Sequence, residues 1–249
     1  MKSRSVYYIP LIALFVLAVV YQARTTDRRL RYLLRVTDAV EWPIDTRYAS
    51  RVIGFVSPGA AEAGASKGDV IVSVNGRPFT GTGVLADSLA AARPGDSLNV
   101  VVTREGSAEE VNLTIPLIQR SDSPAGIKDW LLTGVIFIVM PNFCLLLGFW
   151  VAALRPRDHL AWLLLGLMLS FGQLGTGFDL TAWSGLTRDV AAFYYSLFES
   201  AWPIWMLLFG IYFPERLEVE RRVPWLKWIL IVPLAVFAIA HAIGTSWEQ

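Results

Sequence analysis

The sequence predicts a membrane protein in two parts: a small α+β domain, and an α-helical transmembrane bundle with one N-terminal span and four C-terminal spans. Of the 249 residues, 54% are hydrophobic and 17% charged, with a mean hydropathy of +0.47; soluble domains run at roughly 45–50% apolar and about 25% charged. The apolar residues gather in five runs, four of them long enough to cross the ~30 Å hydrocarbon core of a bilayer as helices. The charges gather elsewhere: residues 23–129 hold 13 of the 22 basic and 13 of the 21 acidic residues, which is ordinary composition and ample length for one small domain.

The same counts remove several functions. A net charge of +1 offers nucleic acid no basic surface. The single cysteine, Cys144, has no internal disulfide partner, and one cysteine with two histidines is too few for a cysteine/histidine zinc site. Neither a metal nor a cofactor is expected.

Residues 1–22 read as a signal anchor. Lys2 and Arg4 precede an apolar run at 6–20 whose length lies between a short span and the core of a secretory signal. Tyr21, Gln22, Ala23 and Arg24 follow with no small-x-small cleavage pattern, so the anchor is expected to stay uncleaved. Residues 23–39 form a juxtamembrane stem. In its segment RRLRYLLRV (28–36), Leu30, Leu33 and Leu34 stand at helical spacing among arginines, which suits an amphipathic helix on anionic headgroups or a stem continuing the first span. The folded domain follows at 40–118 and a linker at 119–129, leading to a four-span region over 130–249. Its spans are expected at 130–154, 160–178, 190–213 and 225–244. Trp130, Trp183, Tyr212, Trp225 and Trp228 stand at or near span ends, where aromatic residues anchor in the interface. Pro141, Pro203 and Pro233 predict kinks.

Orientation follows from the short loops. Lys2, Arg4, Arg155, Arg157, Arg216, Arg221, Arg222 and Lys227 lie on one side, and only Arg188 on the other. Basic loops stay in the cytoplasm, so the domain is expected outside it, on a bacterial inner membrane. Arg24, Arg28, Arg29, Arg31 and Arg35, just after the first span, oppose export, but long segments translocate largely regardless of charge.

Residues 51–78 read RVIGFVSPGAAEAGASKGDVIVSVNGRP: an apolar strand, a Ser-Pro-Gly turn, a short Ala-rich helical turn, a Gly-Asp pair, an alternating strand and an Asn-Gly hairpin signal. With Pro58, Gly59, Ala60, Ala61, Ala63, Gly64, Gly68, Asp69, Ile71, Val74, Asn75 and Gly76 in place, this stretch resembles the PDZ domain, particularly the bacterial form attached to periplasmic serine proteases and intramembrane metalloproteases. Ala65 departs from that pattern, which usually has Leu there. A helix at 82–93 and strands in SLNVVVTRE and EEVNLTIPL, around Glu105-Gly106, extend the resemblance over about residues 40–118. It implies a small, partly open β-barrel or sandwich. Gly64 would end the helical turn in a left-handed conformation, and Asn75 with Gly76 would take the positive φ of a tight hairpin. Gly68 belongs to the same scaffold, and Asp69 is expected to bond turn amides rather than to act in acid–base chemistry.

PDZ domains bind an extended segment as an added strand on an open sheet edge beside a helix. The resemblance therefore implies a peptide or protein partner and makes 82–93 the groove helix, with Val84, Leu85, Ser88 and Leu89 as groove candidates. Leu85 and Leu89 fit the core face of that helix equally well. No Gly-Leu-Gly-Phe-like stretch precedes Val52, so the sequence shows no carboxylate-binding loop.

Within the expected spans Glu199 is the one carboxylate and His241 the one histidine. Ionisable groups in hydrocarbon face a bundle interior. By helical rise, Gln173, Glu199 and His241 fall in the outer halves of three spans and form a candidate polar cluster; Glu199 also fits as a protonated packing contact between helices. An intramembrane metalloprotease needs His-Glu-x-x-His within a span. The sequence has none, nor a spanning Gly-x-Ser-Gly with a partner histidine. A non-enzyme is expected, the sensor or adaptor part of a signal transduction system. The alternative is a non-catalytic or degenerate accessory of a membrane protease that docks substrates.

Overall fold

A computed structural model describes residues 5–34, 40–47, 50–104, 106–107, 109–120, 126–214, 222–223 and 225–247. Lys2, Arg4, Arg35, Arg216, Arg221, Glu105 and residues 121–125 of the linker lie outside the described residues. The chain divides into two compact units. One comprises Leu34–Ala125, the loop Asp179–Arg188 and Trp247–Gln249; the other holds Met1–Leu33, Gly126–Phe178 and Asp189–Ser246.

Helix α1 (Ser5–Leu33) precedes the first unit, whose elements run β1 (Ile44–Thr46), β2 (Ile53–Val56), α2 (Pro58–Glu62), β3 (Val70–Val74), β4 (Arg77–Pro78), α3 (Thr82–Ala91), β5 (Ser97–Thr103) and β6 (Glu110–Pro116). Strands β1 and β2 pair antiparallel, and a second sheet has the order β4-β3-β5-β6. Bridges Val52↔Val70 and Val40↔Gln119 join the sheets around one core. Alternation decides what enters it: Leu98, Val100 and Val102 of β5 turn inward, and β6 answers with Ile115 opposite Leu98 and Leu113 opposite Val100.

Turn chemistry sets the chain path. The Ser57 hydroxyl accepts from the Ala60 N–H (3.3 Å) and caps α2, while Pro58 occupies the first turn, where a missing N–H costs nothing. Beyond α2, Gly64 has φ +94°, the left-handed stop expected of it. Asn75 (φ 49°) and Gly76 (φ 75°) form the two-residue loop between β3 and β4, with Val74 opposite Arg77. Asn75 also accepts the Asn99 N–H at its Oδ1 (3.0 Å) and donates its own N–H to Asn99 O (2.7 Å), which fastens the hairpin to β5.

Asp69, 2% exposed, accepts the Ser66 N–H at 3.0 Å and Arg104 Nη1 at 2.7 Å on the same oxygen. Arg104 Nη2 donates to Gly64 O (2.9 Å). One ion pair therefore ties the end of β5 to the turn after α2.

The second unit adds to α1 the helices α4 (Ile127–Gly134), α5 (Met140–Leu154), α6 (His159–Gln173), α7 (Gly185–Tyr212, from Asp189 onward) and α8 (Leu226–Trp247). By length and composition, Tyr7–Leu33, Ile127–Leu154 and Leu226–Gly244 can each cross a membrane. Helix α6 is shorter at 15 residues, and α7 has 28 residues with Glu199 near its middle. A π-helical turn, Val135–Val139, joins α4 to α5 immediately before Pro141, which has no N–H to donate back. Asn142 Nδ2 donates to Ile138 O (2.7 Å) and to Thr26 Oγ1 (3.0 Å), and Gln22 Nε2 also reaches Thr26 (3.2 Å). This polar seam holds α1 to the α4–α5 helix. Helix α1 runs unbroken to Leu33, so the described part of the stem continues the first helix. Pro203 and Pro233 lie within α7 and α8.

Replacing Arg104 by Met leaves a buried carboxylate with one amide donor. Arg104 is about a third exposed, so the expected loss is about 2 kcal/mol, below the value for a fully buried pair, read as a lower unfolding midpoint. Adding Asp69→Asn to that variant should recover part of the loss.

Candidate functional site

Strand β1 pairs with β2 through Ile44↔Val56, Asp45↔Phe55 and Thr46↔Ile53, and no described strand pairs with its other edge. The Ile44 side chain is fully buried in the core and fixes the strand in place. Peptide groups alternate between the two edges of a strand. Ser57 N–H donates to Pro43 O (2.8 Å) beside the Ile44↔Val56 pair, which makes Asp45↔Phe55 the hydrogen-bonded pair. The N–H and C=O of Ile44 therefore point to the unpartnered side, as addition of a ligand strand requires.

At 3.6 residues per turn, α3 presents three faces. Leu85 and Leu89, 0% and 4% exposed, lie one turn apart in the core, so of the two roles open to them in the sequence their burial matches the core face. Val84 and Ser88, also one turn apart, share a half-exposed flank with exposed Ala91. The Ser88 hydroxyl donates to Val84 O (2.9 Å).

The third face, Gly83, Ala86 and Asp87, carries the loop Asp179–Arg188. A short 3-10 turn at Leu180–Ala182, capped by Asp179 Oδ1 accepting the Thr181 N–H (3.0 Å), lies against α3. Arg188 is 3% exposed. Its guanidinium donates to Gly83 O (3.1 Å), Trp183 O (2.7 Å) and Leu180 O (3.2 Å), and pairs with Asp87. A planar fork of five donors is suited to such a set of acceptors. In the sequence Arg188 stands out only as the lone basic residue of its loop. Asp87, 101 positions away, gives no local sign of the pairing. Trp183, expected at a membrane interface, is buried here with its carbonyl on Arg188.

The scaffold residues fall as described above, with Gly68 at φ +95° donating its N–H to Ile53 O (3.0 Å). The intramembrane candidates all lie in the helical unit. Gln173 is buried at the end of α6, its carbonyl accepting from the Thr176 N–H and hydroxyl. Glu199 is half-buried, one turn after Tyr195 on α7. The His241 ring stacks on Phe237 at a centroid separation of 6.0 Å.

Residues 47–115 match the PDZ domain family. Among curated proteins, the chain is 40% identical over 72 residues to a probable periplasmic serine endoprotease DegP-like of Rhizobium meliloti, covering 28% of this chain and 14% of that one. A protein of the same description in Brucella suis is 37% identical over 67 residues, 27% of this chain and 13% of its own length. The periplasmic pH-dependent serine endoprotease DegQ of Escherichia coli is 33% identical over 67 residues, 27% and 15%. The chain thus spans about a seventh of the length of these relatives, within the PDZ region alone. That region is a PDZ domain, a non-catalytic binding module.

Arg188→Met strips donors from three carbonyls and a carboxylate at once. Hydrogen bonds to a charged group contribute about 1.5–3 kcal/mol, so limited proteolysis within Asp179–Arg188 should accelerate about tenfold or more, with Arg188→Lys intermediate because it lacks the planar fork.

Proposed function

We propose that this is a multi-span protein of a bacterial inner membrane whose PDZ domain, held outside the cytoplasm, binds a peptide or protein and biases the helical bundle, acting as the sensor or adaptor part of a signalling system. No catalytic step is assigned to the chain itself. The observation that carries this reading is the double use of α3. One flank, Val84 and Ser88, stands free for a ligand strand; the other is bonded to Arg188, and the next residue, Asp189, continues α7. A ligand that shifts α3 acts directly on the segment that leads into α7.

Five spans agree with the same contact. The domain precedes α4 and the loop Asp179–Arg188 follows α6, and the two touch. They share one side of a membrane when α4–α5 crosses once and α6 crosses back. At 15 residues α6 is about 22 Å long, a short crossing. The periplasmic relatives named above are in keeping with a domain outside the cytoplasm.

A second reading, substrate docking for a membrane protease, draws on the endoprotease names of those relatives. It uses the same groove and gives Arg188 no role in response.

In nanodiscs, the full chain should capture members of an immobilised peptide library, and Val84→Arg should lower that capture about tenfold or more. Capture undiminished by Val84→Arg defeats the groove assignment. Bound peptide should also change hydrogen exchange in the first turns of α7, an effect lost in Arg188→Met; binding without any such change favours substrate docking.

A further inference from the structure

We infer that the PDZ domain takes an extended segment from within a ligand chain and does not capture a C-terminal carboxylate; this rests on the peptide-binding reading above. Carboxylate capture needs successive main-chain N–H groups that converge on one anion. The place for them is the short stretch between the Val40↔Gln119 bridge and β1. Its donors can be followed one by one. The Glu41 N–H is held by Ile118 O (2.9 Å), and Pro43 has none. The Asp45 N–H belongs to the ladder with β2. The Thr46 N–H is taken by Asp45 Oδ1 (2.9 Å), and that of Arg47 by Val52 O (2.9 Å).

Between Glu41 and Arg47 the donors left are those of Trp42 and Ile44. They stand two residues apart, about 6.6 Å along an extended chain, a spacing that matches alternate residues of a neighbouring strand and not a single carboxylate. Charge acts in the same direction. Glu41 and Asp45 are themselves carboxylates beside this edge, and a third would be repelled. A segment internal to its chain brings no such charge. It can exchange both main-chain bonds with Ile44 and lay side chains on Val84 and Ser88.

The test uses the full chain in nanodiscs and a peptide library in which each sequence is presented as a free C-terminal acid, as a C-terminal amide, and embedded between Gly-Ser flanks. Amide and embedded forms are expected to be captured within about twofold of the acid. A loss of about tenfold or more on amidation overturns the inference while leaving peptide binding intact. Capture of no sequence in any form overturns peptide binding itself, and the inference with it.

Discussion

A main-chain N–H or C=O shielded from water costs about 1–3 kcal/mol unless it finds a hydrogen-bond partner. In the helical unit that demand is met within each helix, and the break in the ladder at Pro141 is repaired locally. Pro141 removes a donor, the backbone answers with a π turn, and Asn142 brings its side-chain amide to Ile138 O while reaching across to Thr26 of α1. A backbone defect thereby becomes a contact between helices. In the PDZ domain the N–H and C=O of Ile44 face the edge of β1 that no described strand pairs with, the edge onto which the proposed ligand strand would add.

Two arginine contacts then hold the domain in shape, one half-exposed and one buried, and they differ in kind. Arg104 with Asp69 closes a loop of the scaffold: it fixes the turn after α2 against the end of β5, beside the left-handed Gly64. Arg188 binds mostly carbonyls, at the end of Gly83's turn of α3 and within its own loop, so its hold depends on the exact position of that helix. An ion pair of the first kind gives rigidity. A multi-acceptor clasp of the second kind loosens when α3 moves, and α3 is the helix that any ligand on Val84 and Ser88 must lean on. Within the helical unit, closeness is set by small residues instead. A Cβ on Gly166 would come within 2.6 Å of the Trp205 ring, so α6 and α7 approach only because that side chain is absent.

The parts legible in the sequence were those whose cause is local. Ser57, Pro58 and Gly64 announce the start and end of α2; Asn75 and Gly76 announce a hairpin; the alternation in SLNVVVTRE announces an inward face of Leu98, Val100 and Val102. The candidate site was half legible. Val84 and Ser88 stand with Leu85 and Leu89 in the sequence because all four lie on one short helix, and separating them requires knowing which side the core lies on. Arg188 was invisible as a site residue, since Gly83 and Asp87, its acceptors outside its own loop, lie on a helix more than a hundred positions earlier.

The sequence by itself determined that apolar runs surround a charge-balanced PDZ domain, because composition, turn residues and periodicity act over a few neighbouring positions. The tertiary structure alone decided which amides of β1 pair with no described strand, which flank of α3 is left half-exposed, and that Asp179–Arg188, which ends in the first turn of α7, belongs with the domain. Those outcomes depend on pairings between distant segments, and each is set by hydrogen bonds that have no signature until the chain has folded.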